Sequence, residues 1–197
     1  MSDERCAEAV AYLRDRQIKV VVWDMDHTMS AQHCGDGLPL GDLDSYCAST
    51  SKDFVALADA LAAEGFKQAV ATGSDAAEYD LPGHSRATHI CAEDLAAELI
   101  GRHCFKRKEE EEEEDKNKDK NKDKDKDKDG CSGRAGVSTI DTFKIMIGFD
   151  CRLHGNQTRD FGKRHHMRTI ASFYGVQQGM PLSLSLSLSL SLSISLS

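Results

Sequence analysis

The chain reads as an α/β protein: a parallel sheet with helices on both faces. Three observations predict this. Two short apolar runs, Ile18 to Trp23 and Phe66 to Ala71, have the length of buried strands. Segments of helical periodicity stand before, between and after them, an alternation that favours a doubly wound sheet. Both runs end in polar turns, Asp24-Met25-Asp26-His27-Thr28 and Thr72-Gly73-Ser74-Asp75. Right-handed crossovers would set those two turns side by side, in the crevice beyond the carboxyl ends of the strands.

The elements follow in order. Arg5 to Gln17 predicts an amphipathic helix, with Ala9, Val10 and Leu13 on one side. Ile18 to Trp23 is the first strand. Met29 to Ser49 holds Gly35, Gly37, Pro39 and Gly41 and reads as a loop or very small insertion. Ser51 is placed to cap a helix running to Glu64, with Phe54, Val55, Leu57, Ala58 and Leu61 at helical spacing and Gly65 as its stop. After the Phe66 strand, Thr88 to Ile90 is a candidate third strand, and Glu93 to Ile100 a helix ended by Gly101. Thr142 to Phe149 predicts a further strand ending at Asp150. Arg152 to Arg168 is basic and His-rich and reads as a solvated loop.

Composition divides the 197 residues into four parts. Residues 1–105 form the α/β core. Residues 106–136 are a charged insert, expected to be disordered because it has too little apolar surface to offset chain entropy. Residues 137–175 continue the core with its last strand. Residues 176–197 form a low-complexity tail of alternating Leu and Ser, the reading of a CT dinucleotide repeat, so repeat expansion or an imperfect gene model is its expected origin. The net charge of −8 argues against nucleic-acid binding. The Leu-Ser tail is too polar to span a membrane. The seven Cys show no CxxC pair and follow no apolar leader, which predicts reduced thiols in a cytoplasmic protein.

The chemistry is expected at Asp24 and Asp26. Two acids one residue apart, where a buried strand turns, can reach one pocket as nucleophile and general acid. The apolar strand followed by Asp24-Met25-Asp26-His27-Thr28 resembles the first motif of the haloacid dehalogenase-like (HAD) phosphohydrolases. Gln68 to Ser74, a strand ending in Thr72-Gly73-Ser74, resembles their second motif. The likeness covers Lys19 to Gly101 and implies a Rossmann-like sheet with a minimal cap. It also implies a Mg²⁺-dependent phosphatase acting on phosphate monoesters, either phosphorylated small molecules or phosphoproteins. Asp24 would form an aspartyl-phosphate, and Asp26 would serve as acid and then base. Thr72 would hold a phosphoryl oxygen, Gly73 would permit close approach, and Ser74 is an alternative ligand. Mg²⁺ would lie between Asp24 and the phosphate, with the Asp26 carbonyl and Asp150 as further ligands. The family also uses a Lys against the nucleophile, for which Lys106, Lys108 and Lys144 are the candidates. Cys151 stands where a second acid is usual. The alternative expectation is a catalytically impaired binding or scaffold protein with an incomplete carboxyl-terminal half.

Overall fold

The computed structural model describes residues 1–103, 139–150, 153 and 163–176, and the backbone of 182–186 and 190–194. The charged insert, Lys106, Lys108, Cys151 and most of the Arg152 to Arg168 stretch lie outside the described residues.

Helix α1 (Asp3–Asp15) is capped by the Ser2 side chain, which accepts from the Arg5 N–H, and buries Cys6, Val10 and Leu13. Strand β1 (Val20–Trp23) is buried at every position. The next segment is more structured than the glycine-rich sequence suggested. It contains strand β2 (Leu38–Pro39), a 3-10 turn (Leu40–Asp42) and helix α2 (Leu43–Ala48). Helix α3 (Lys52–Ala63) starts as expected: Ser51 accepts from the Phe54 N–H. It stops before Gly65, whose φ of +76° is the left-handed conformation that ends helices. Strand β3 (Lys67–Thr72) follows, then a 3-10 turn (Ala76–Asp80), strand β4 (His89–Ile90) and helix α4 over residues 92–103. Gly101 does not stop α4. The chain resumes with α5 (Thr139–Thr142), β5 (Phe143–Gly148) and α6 (Arg164–Tyr174). Backbone strands β6 (Leu182–Leu186) and β7 (Leu190–Ile194) come last.

β1, β3 and β5 form a parallel sheet in the order β5-β3-β1. The β1·β3 register pairs Val20 with Lys67 and Trp23 with Val70, so the ends of these two strands lie side by side, as the sequence predicted. β6 runs parallel along the other edge of β1, and β7 is antiparallel to β6. The third parallel strand is β5. The candidate at Thr88 to Ile90 instead pairs antiparallel with β2 in a separate two-stranded sheet.

Alternate strand residues face opposite ways, and the sheet divides two apolar clusters. Val21, Trp23 and Val70 pack with Val10, Leu13, Phe54, Leu61, Leu95 and Leu99 from α1, α3 and α4. Val20, Val22, Ala69, Ala71 and Ile147 pack with Met167 and Ile170 of α6. The stretch read as a solvated loop thus yields, at its end, a helix that covers one face of the sheet. Within the first cluster, buried Gln68 is fully engaged. It accepts from the Trp23 indole N–H at 2.8 Å and donates to the Ala58 carbonyl and the Thr142 hydroxyl, both at 2.9 Å. That pairing offsets the cost of burying an amide. No helix among the described residues is long and apolar enough to cross a membrane.

Candidate active site

Asp24 is the first residue past β1. Beyond it the chain wraps around the Met25 carbonyl, which accepts from the N–H groups of Thr28, Met29 and Ser30 at 3.4, 3.0 and 3.1 Å. Met25 is fully buried and anchors the turn. The Asp24 carboxylate remains at the strand tip. Its Oδ1 accepts from the Met25 N–H at 3.0 Å and from Lys163 Nζ at 2.8 Å. The same ammonium donates to the Ala71 carbonyl at 2.6 Å. Lys163 therefore bridges the tips of β1 and β3 beside Thr72. Asp24 Oδ2 takes no hydrogen bond from the described residues. Asp24 and Lys163 are 21% and 23% exposed, enough for a ligand to reach them and little enough for their attraction to exceed that of a fully solvated pair.

Thr72 is the last residue of β3 and is buried. Its Oγ1 accepts from the Ser74 N–H at 3.2 Å, which leaves the hydroxyl hydrogen to give. Its carbonyl accepts from the Phe149 N–H at 3.2 Å and from His166 Nε2 at 2.7 Å. The second contact sets the His166 tautomer, with the proton on Nε2. His166 is buried, and its Nδ1 has no partner among the described residues. Burial first, and the Lys163 charge second, lower its pKa to about 4, so the ring is neutral near pH 7. Gly73, the next residue, is exposed, and a side chain there would meet only open space.

Asp26 is held by a different set of partners from Asp24. Its Oδ1 accepts from the Cys34 N–H at 3.1 Å and the Tyr46 hydroxyl at 3.3 Å. Its Oδ2 faces Cys34 Sγ at 3.6 Å and His33 Nε2 at 3.5 Å. Burial and the Asp26 charge both push the Cys34 thiol and the Tyr46 phenol well above their usual ranges, so each keeps its proton. This pocket is built by the segment between β1 and α3.

Ser74 is committed to internal bonds. Its hydroxyl donates to Glu78 Oε2 and accepts from the Ala92 N–H, both at 2.8 Å. Asp75 caps the following 3-10 turn in a capping box with Glu78. Burial raises the Glu78 carboxyl, partly offset by the Ser74 and Asp75 hydrogen bonds. Asp150, just past β5, is buried, and its N–H donates to Asp75 Oδ2 at 2.8 Å. β3 lies between β5 and β1, so the tips carrying Asp150 and Asp24 are two strand spacings apart, roughly 9–10 Å.

Among the described residues no group of three or more His, Cys, Asp or Glu side chains is arranged to hold a metal. The donors at the β1 tip are nevertheless of the kind Mg²⁺ selects: a carboxylate oxygen of Asp24 and the main-chain carbonyl of Asp26. Mg²⁺ is commonly held by one or two carboxylates, with substrate phosphate and water completing its shell.

Lys163 is the residue that sequence reasoning missed. Lys144, one of the three expected candidates, is exposed on β5. A usable signal was present: His166, Met167, Ile170, Ala171 and Tyr174 recur at helical spacing directly after Lys163, but the surrounding charges masked the stripe. No family model, curated protein or solved structure matches this chain.

Proposed function

We propose that the protein is a Mg²⁺-dependent phosphatase of the HAD kind, cleaving phosphate monoesters through an aspartyl-phosphate on Asp24. The Lys163 clamp carries this reading: an ammonium 2.8 Å from the Asp24 carboxylate and 2.6 Å from the Ala71 carbonyl, beside Thr72. A strand-tip Asp that merely capped a loop would not need a lysine reaching from the N-cap of a helix, 139 residues later.

In the first step Asp24 Oδ2 attacks phosphorus, and the bond to the ester oxygen breaks. Asp26 gives its proton to that leaving oxygen. In the second step Asp26 takes a proton from water, whose oxygen attacks phosphorus and breaks the bond to Asp24, releasing inorganic phosphate. Lys163 holds Oδ1, which points Oδ2 outward and offsets the charge of an anionic substrate beside a carboxylate. Thr72 donates its hydroxyl hydrogen to a phosphoryl oxygen, and the Ser74 N–H fixes the rotor. Asp24 and the Asp26 carbonyl would hold Mg²⁺, with Asp150 as a more distant candidate. Bound there, the ion supplies charge stabilisation to the phosphoryl oxygens. The cap is minimal, limited to the segment carrying β2 and α2, and substrates range from small phosphate esters to phosphoproteins in a cytoplasmic setting.

One observation favours a second reading, a catalytically impaired binding protein. The strand on the far side of β1 is β6, whose residues Leu182 to Leu186 are Leu and Ser alone, so that tip offers no carboxylate to a cation. Hydrolysis of p-nitrophenyl phosphate separates the two. The phosphatase reading expects turnover that requires Mg²⁺ and falls on the order of 10³-fold or more in Asp24→Asn. Equal turnover in the variant would reject the nucleophile. No turnover in the native protein would favour the binding reading.

A further inference from the structure

The Thr72–Gly73 peptide lies where β3 runs out. Thr72 is the last residue of the strand, and Gly73 is exposed and lacks the side chain that would restrict its backbone. In a parallel sheet the N–H and C=O of one residue point to the same neighbouring strand, and those of the next residue point the other way. Thr72 points to β5: it pairs with Gly148, and its carbonyl accepts from the Phe149 N–H at 3.2 Å. Ala71 points to β1, and its carbonyl is held by Lys163 beside Asp24. The Thr72–Gly73 peptide is planar and trans, so its N–H points opposite to its C=O, toward the β1 side where Asp24 stands. The Gly73 N–H donates no hydrogen bond to the described residues.

Only the carbonyl end of this peptide is held, and His166 is its second anchor. The Phe149 bond comes from a residue already past the end of β5. His166 Nε2 adds a shorter bond, 2.7 Å, to the same oxygen. The imidazole is 1% exposed, with the Phe149 and His165 rings nearly perpendicular to it at 6.1 and 6.2 Å. Its Nδ1 has no partner among the described residues, so no second hydrogen bond from them offsets the cost of burying that nitrogen. An apolar side chain would fill the same space without that cost. What the imidazole adds is the bond to Thr72.

We infer that His166 is a positioning residue: by holding the Thr72 carbonyl it fixes the plane of the Thr72–Gly73 peptide and aims the Gly73 N–H at a phosphoryl oxygen bound beside Asp24. The inference rests on the phosphatase reading above. One turn of chain thereby serves both strand tips. Lys163 holds the carboxylate past β1, and His166 holds the donor past β3.

The test compares three variants by turnover of p-nitrophenyl phosphate with Mg²⁺, below the melting transition of each. His166→Leu keeps apolar bulk and removes the donor. His166→Gln places an amide N–H as many bonds from the backbone as Nε2. His166→Asn stops one bond short, and it decides the matter if the Leu form does not fold. Turnover per folded molecule should fall on the order of ten-fold or more in the Leu and Asn forms. The Gln form should recover to within about three-fold of the native protein. Inhibition by orthovanadate, which copies the phosphoryl group in transfer, should weaken in the same order. Native-like turnover in the Leu or Asn form, or a Gln form as slow as Asn, overturns the positioning role and leaves the phosphatase reading standing. A native protein without turnover overturns that reading, and this inference with it.

Discussion

Lys163, the N-cap residue of α6, and His166, within that helix, are three residues apart, and both reach the tip of β3. Lys163 binds the Ala71 carbonyl and His166 the Thr72 carbonyl. Neither role was legible in the sequence. A lysine among many basic residues has no local mark, because its meaning comes from a contact with Asp24 that only tertiary packing creates. The position of Asp24 and Asp26 just past β1 was legible, since a strand followed by closely spaced acids is a local pattern. His166 makes a prediction at this scale. Its folded pKa, about 4, lies below the ordinary His value of about 6.5. Between those values the unfolded chain binds a proton that the folded protein does not. Stability from this group is therefore complete above about pH 6.5 and is lost as pH falls toward 4. The whole effect is on the order of 3 kcal/mol. Urea denaturation at stepped pH should show this loss in the native protein and a shallower one in His166→Gln. Identical pH dependence in the two would contradict the assignment.

Local pattern served best for elements built from contiguous residues. The Ser51 cap, the apolar stripe of α3 and the Gly65 stop were all readable, and so were β1, β3 and β5. Pairing was harder. His89 and Ile90 have strand character, but only long-range contact decides that their partner is β2 and not the main sheet. Gly101 was misread for a related reason. A helix can absorb one interior Gly at a cost of about 1 kcal/mol when its neighbours are held, and Leu99 and Ile100 are buried while Arg102 pairs with Glu98 and Asp44. Gly148 shows the opposite case, a glycine that the packing requires. It ends β5 against the loop after β3, where a Cβ would overlap the Ser74 carbonyl oxygen and come within 2.6 Å of the Ala92 Cβ. Gly148→Ala should therefore lower stability by about 1–3 kcal/mol, read as a drop in the urea midpoint at constant slope. An unchanged midpoint would mean that β5 does not pack against Ser74 and Ala92 as described.

At the scale of the molecule, the α/β class and the meeting of the Asp24 and Thr72 tips followed from alternation and crossover handedness. What could not be read was which element closes the site. The answer is α6, which covers the Val20, Val22, Ala69 and Ala71 face and delivers Lys163 to Asp24. Asp24 Oδ1 is thereby tied to Lys163 and the Met25 N–H, while Oδ2 takes no hydrogen bond from the described residues. The claim that Asp24 is a nucleophile is tested most directly by trapping its phosphorylated form. The protein is mixed with Mg²⁺ and a radiolabelled phosphate monoester, quenched in acid and digested. The account predicts a hydroxylamine-sensitive acyl phosphate on the peptide containing Asp24, and none in Asp24→Asn. Label that persists in that variant, or turnover without any acyl phosphate, would contradict it.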